Sequence, residues 1–361
     1  MQIAILRSAR PGVLVILVVV AGLLAGCSAS GATVASSWPG VAVSDTTAYV
    51  AYADAIHAVD LATGQERWRY PAEANRQVTF YAPPAITEDG QLIVGGYDHV
   101  VRRLSAEGTE VWHFDGARDR IIGGAALAGD LVLVPSADHT LYALNAESGA
   151  RVWSFEAEHA LWAAPLVDGD LVYIASLDHI VYALNRSDGS VIWQRDLGAA
   201  MADTPALVDG VLLVGTFGAG LQALDAATGE VVWTFQSDGW IWGSPSIADS
   251  VAFFGDVAGT LYAVDLNTHN ELWRLQPDGP VAGTPSALGD LAYFTTEAGT
   301  VYARQAASGT PAWEQTLTGK LYSDPILSDD TLLVAAMQGE ALLTALDSAT
   351  GAIRWSFTPV R

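Results

Sequence analysis

The chain has 361 residues with 17 basic and 40 acidic side chains, a formal net charge of −23, and 51% hydrophobic residues. So acidic a surface repels nucleic acid and anionic lipid headgroups, which leaves a basic protein partner, a cation, a neutral ligand, or plain solubility in a salty habitat. The only cysteine, Cys27, has no intramolecular partner, so stability must come from burial rather than a disulfide framework.

In chain order, Met1 to Arg10 carries Arg7 and Arg10, and Gly12 to Leu24 is an unbroken apolar run. Thirteen residues are too few for a stable bilayer-spanning helix, so the segment reads as a secretion signal. It ends in Leu24-Ala25-Gly26-Cys27, which resembles the lipobox of bacterial lipoproteins. That resemblance implies cleavage after residue 26, lipidation of the Cys27 thiol, and a mature protein held on the extracytoplasmic face of a bacterial membrane. Ser28 in place of Asp permits sorting to an outer membrane where one exists. Residues 28–37 are small and polar and read as a flexible tether, reaching roughly 35 Å at most at about 3.3 Å per residue. Loss of residues 1–26 removes Arg7 and Arg10 and no acid, so the mature chain keeps 15 of the 17 basic residues and all 40 acids.

From residue 38 onward the chain is phased by one stretch, of which Ala143 to Trp153 (ALNAESGARVW) is an example. Its tryptophan recurs as Trp68, Trp112, Trp153, Trp193, Trp233, Trp273, Trp313 and Trp355, at spacings of 44, 41, 40, 40, 40, 40 and 42 residues. An alternating run ends in Asp or Asn and is followed by a turn with a Gly tolerant of positive φ. A second alternating run then contains the Trp, which describes a β-hairpin. Two further short strands precede each copy, such as residues 204–208 and 211–215 around the Asp209-Gly210 turn. Four antiparallel strands in forty residues, repeated eight times, predict an all-β, eight-bladed β-propeller over residues 38–357, with 358–361 as a tail. Each Trp is expected to lie flat between blades with its N–H on a carbonyl. At about 200 Å² per ring and about 25 cal/mol per Å², each is worth roughly 5 kcal/mol as an upper bound.

The eleven-residue pattern resembles the tryptophan-docking motif of the PQQ-like (quinoprotein-type) propeller repeat, and it covers nearly the whole mature chain. That family spans quinoprotein dehydrogenases and non-enzymatic scaffold lipoproteins such as the propeller subunit of the outer-membrane β-barrel assembly machinery. For a dehydrogenase the resemblance implies an adjacent cysteine pair, a stacking Trp, and carboxylate and amide ligands for calcium. The cysteine pair is absent. Asp203 and Asp324 lie near the channel ends of their strands, with no Glu or Asn placed to complete a calcium site. No nucleophile elbow, phosphate loop or His-rich zinc pattern occurs either. The expectation is a monomeric, non-catalytic scaffold with no PQQ, no metal and no catalytic residues, which holds a protein partner in the cell envelope and touches the membrane only through its lipid.

A proline marks the first strand of seven blades (Pro39, Pro83 or Pro84, Pro165, Pro205, Pro245, Pro285, Pro325), as befits an edge facing the central channel. Three residues before it, even blades offer Tyr81 (or Phe80), Trp162, Trp242 and Tyr322, and odd blades offer Ser36, Ile122, Ala202 and Ala282. With Trp240 nearby, the large residues form a candidate funnel able to stack on a sugar, a quinone or a peptide aromatic, although alternating large and small side chains also simply fill a narrow mouth. The alternative function is therefore an extracytoplasmic small-ligand or glycan binder. Asp98-His99, Asp138-His139 and Asp178-His179 occupy one turn of three consecutive blades. Neighbouring turns roughly 12 Å apart cannot share an ion with bonds of about 2 Å, so the motif reads as turn chemistry. The short Arg102 to Gly108 segment, His269 for the turn Gly of blade 6, Gln305 in blade 7 and the longer hairpin of blade 8 at 338–344 read as local turn variants.

Overall fold

A computed structural model describes residues 38–360 apart from 74, 76, 77 and 219; the signal segment, Cys27, the tether and Ser36 lie outside the described residues. The strands form eight separate four-stranded antiparallel sheets, each continuous in sequence. Blade 1 comprises Gly40–Val43, Thr47–Tyr52, Ala55–Asp60 and Glu66–Tyr70, and blade 8 comprises Ile326–Ser328, Thr331–Ala335, Leu343–Asp347 and Ile353–Phe357.

Burial explains the hydrophobic pattern. Middle strands such as Leu131–Pro135 and Thr140–Asn145 are buried along nearly their whole length, because neighbouring blades cover both faces. Outer strands such as Arg151–Glu156 have only one covered face and alternate accordingly. The recurrent small residue of the motif is the cross-strand partner of the tryptophan, as in Ala143↔Trp153 and Ala58↔Trp68, with a register shift immediately after it. Blade 2 keeps this geometry although Arg103 replaces the alanine, because the Arg103 side chain reaches out to the Ala146 carbonyl of blade 3.

Seven tryptophans dock on a carbonyl of the neighbouring blade. The indole N–H of Trp68 donates to the Ala106 carbonyl, Trp112 to Ala146, Trp153 to Arg186, Trp193 to Ala226, Trp273 to Ala306 and Trp313 to Ser348, at 2.8–3.0 Å. Trp355 of blade 8 donates to the Leu61 carbonyl of blade 1 at 2.9 Å. That bond closes the ring, and a shared core backs it, with Val41, Val50 and Val59 packed among Leu333, Leu343 and Ala345. No strand is exchanged, since blade 8 is completed by its own last strand.

Each docked indole lies on the turn glycine of the next blade. A Cβ at that glycine would stand 2.4–2.7 Å from the ring, so the motif needs Gly for space as well as for positive φ. Replacing Gly189 (φ 72°), which lies under Trp153, by Ala is expected to cost about 1–3 kcal/mol in urea unfolding. A neutral result would mean that the seams tolerate slippage.

Trp233 departs from the expectation. The next turn carries His269 instead of Gly, and the two rings stack with centroids 4.8 Å apart and planes 20° from parallel. Among the described residues the Trp233 N–H has no hydrogen-bond partner, whereas the backbone of the His269 turn is the same as in other blades, with its N–H on the Asp265 carbonyl at 2.8 Å. The side chain at 269 therefore unseats the indole. His269 is a turn variant in its φ of 59° and its hydrogen bond, but unlike the glycine of the other blades it carries a Cβ.

Candidate functional site

The first strands of the blades line a central channel, and a cavity of about 370 Å³ occupies its mouth. Tyr81, Trp162, Trp242 and Tyr322 all reach this cavity, as do the small residues Ile122, Ala202 and Ala282 between them. Phe80 does not belong to the funnel: it is fully buried between blades 1 and 2 against Tyr70, because alternation along an extended segment sends adjacent side chains to opposite sides. Trp240 lies on the outer rim, 42% exposed and stacked on Phe217 at 5.5 Å.

Sequence reasoning missed Trp38. Its ring stands inside the funnel, stacked on Tyr322 at 5.0 Å and 11°, and touches Trp242 at 5.5 Å and Tyr81 at 5.8 Å. Further contacts continue from Trp242 to Phe217 at 5.0 Å and from Tyr81 to Tyr97 at 5.9 Å, so the rings run from one side of the mouth to the other. Arg120 over Tyr97 and Lys320 over Tyr322 cap the array with cation–π contacts at 5.4 and 5.8 Å. The signal was present two columns away. Trp38 directly precedes its proline, where the other blades carry Ala82, Gly124, Ala164, Thr204, Ser244, Thr284 and Asp324. Trp162 keeps a buried indole N–H without a hydrogen-bond partner among the described residues.

In the same cavity, blades 5 to 8 supply a polar arc from that column, joined by Asp203 one position before it. Asp203 accepts from the backbone N–H groups of Thr204 (2.7 Å) and Ser244 (3.1 Å), and Asp324 from that of Thr284 (2.6 Å). The Ser244 N–H also reaches the Thr284 hydroxyl at 3.1 Å, and the Ser244 hydroxyl donates to the Thr204 carbonyl at 2.6 Å. Both carboxyls titrate above the usual range. Burial pushes Asp203 up against the pull of its hydrogen bonds, while burial and then the charge of Asp203 push Asp324 up to about 7. Burial also raises the Tyr81 hydroxyl, with help from Tyr97 and Asp203.

The Asp-His turns are structural. Asp138 accepts from the Thr140 and Arg118 N–H groups and the Tyr142 hydroxyl; Asp178 accepts from Ile180, Glu158 and Tyr182 in the same way. Asp98 instead pairs with Arg102. His99, His139 and His179 adopt φ of 67–76°, the left-handed conformation that Gly259 and Gly299 supply in blades 6 and 7. Among the described residues no group of three His, Cys, Asp or Glu comes together to hold a metal.

Eight radial sheets, indoles sealing the seams and an aromatic mouth over an acidic channel define a propeller of the PQQ-like class. Within that class, the family model described as outer membrane protein assembly factor BamB matches residues 22–121, 97–202, 177–288 and 257–360, and the chain belongs to that family. Among solved structures, BamB from Moraxella catarrhalis is similar at a TM-score of 0.72 and 19% identity, covering 84% of this chain and 95% of that one. A computationally designed protein reaches 0.75 at 16% identity, with 86% and 96% covered. The quinohemoprotein alcohol dehydrogenase ADHIIG from Pseudomonas putida HK5 reaches 0.69 at 14%, with 90% and 78% covered. At these identities the likeness is one of fold. No curated protein matches the chain significantly.

Proposed function

We propose that the protein is a non-catalytic scaffold, anchored through lipidated Cys27, that holds a protein partner during outer-membrane protein assembly. The membership of its whole propeller in the BamB family carries this reading. The outer strands support it. The residue just before the docking Trp is Val111, Val152, Ile192, Val232 and Leu272 in blades 2 to 6, each 45–54% exposed, whereas blades 1 and 8 carry Arg67 and Arg354 there. An apolar belt on edge strands with free backbone groups suits docking of another chain. PQQ does not fit the channel: a quinone with three carboxylates would meet Asp203 and Asp324, and no Lys or Arg is among the residues lining the cavity.

Changing Val152, Ile192 and Val232 together to Lys is expected to abolish crosslinking to the envelope partner, while each exposed change alters stability by only about ±0.5 kcal/mol. Cys27→Ala should release the protein from the membrane fraction. An unchanged crosslinking pattern in the triple variant would refute the belt as the interface. A second reading, a small-ligand or glycan binder, draws on the funnel cavity and the unpartnered Trp162 N–H. Trp162→Ala with Trp242→Ala would then abolish ligand binding and leave the crosslinked partner in place.

A further inference from the structure

The eight seams are built to one plan and one of them is open. In seven, the indole fills the gap between blades and donates to a carbonyl of the next turn. At the seam between blades 5 and 6, the equivalent carbonyl is that of Leu266, and Trp233 does not reach it. A cavity of about 280 Å³ lies there, walled by Val208, Val211, Leu213 and Leu266 and rimmed by Trp233 and His269.

We infer that this seam is a binding site for a small, neutral, flat aromatic molecule of the indole class, carrying one N–H or O–H donor. The chemistry follows from the repeat. The vacated space is the seat that seven other seams fill with an indole, so it accepts a flat ring and offers a backbone acceptor in the direction an indole N–H takes. Its walls are aliphatic, which favours an apolar body, and the stacked Trp233 and His269 rings give the entrance an aromatic side. Asp209 at the same opening disfavours an anion.

The cause of the vacancy also supplies the test. A Cβ at the turn position collides with a docked indole, as the 2.4–2.7 Å approaches in the other seven blades show. His269→Gly therefore lets Trp233 return to its seat and close the cavity, whereas His269→Ala keeps the Cβ and leaves the seat empty. With 5-fluoroindole as the probe and ¹⁹F NMR as the readout, the wild-type protein is expected to bind with a Kd of roughly 0.1–1 mM. His269→Ala should bind within a few-fold of this. His269→Gly should weaken binding at least about tenfold and unfold at a higher temperature, since it gains a docked ring. Absence of binding to the wild type, or equal binding to the Gly variant, would overturn the assignment. Loss of binding in both variants would also overturn it, by placing the probe on the imidazole instead of in the seat.

Discussion

Trp355→Ala is expected to destabilise the propeller by about 3–5 kcal/mol in equilibrium urea unfolding, the usual cost of removing a buried aromatic side chain. This indole joins the last blade to the first, its N–H on the Leu61 carbonyl and its ring on Gly64. No covalent link backs this seam, unlike the other seven, where the chain itself crosses from one blade to the next. Losing the plate leaves a cavity and an unpaired carbonyl at the place where the ring depends wholly on packing. Trp233→Ala is the internal control. Its indole has no protein hydrogen bond among the described residues and sits beside an existing cavity, so its removal should cost less than half as much. Equal losses at the two sites would mean that burial of the ring, and not its seating on glycine and carbonyl, holds the seams.

Stability should fall as the pH rises from 5 to 8, and Asp324→Asn should abolish much of that fall. Burial and the neighbouring Asp203 raise Asp324 to about 7 from the ordinary 3.8 of an aspartate. Over that interval the folded chain keeps a proton that the unfolded chain has released. A raised pKa thus contributes stability that is complete below about pH 4 and is lost as the pH climbs through 7, at no more than about 1.4 kcal/mol per unit for one proton. The surface carboxylates act in the opposite sense and in another window. Hydrogen bonds to Arg67 and Arg354 hold Asp60 and Asp347 at about 2, so their contribution is intact above pH 4 and disappears only below it. Asn keeps the acceptor for the Thr284 N–H without the charge, so Asp324→Asn should be more stable than wild type at pH 8, by a margin that shrinks steadily as the pH falls toward 4. Thermal melts of both proteins across this range read the difference directly, and parallel curves would show that the channel carboxyl titrates normally.

The architecture was legible because repetition averages out local ambiguity. One hairpin of alternating residues is a weak signal, but eight hairpins in phase at forty-residue spacing define blade number, strand count and the column that faces the seams. The same periodicity exposed the Asp-His turns as turn chemistry, since a feature tied to one position of each repeat stays with its own blade. It served the funnel less well. Comparing one column brought Tyr81, Trp162, Trp242 and Tyr322 together, yet Phe80 turned into the core and Trp38, two positions further along the repeat, entered the mouth.

What the chain order alone determined is everything that depends on neighbours in sequence: strands, turns, blade boundaries and the indole at each seam. The tertiary structure decided what depends on atoms brought together across the ring. Trp38 meets Tyr322 and Asp324 feels Asp203 only because the ring closes and its blades converge on one axis. The seam at Trp233 opens for a related reason. His269 can adopt the turn's φ of 59°, so nothing local forbids it, and the conflict arises only when the indole of Trp233, in the preceding blade, is asked to occupy the volume of its Cβ.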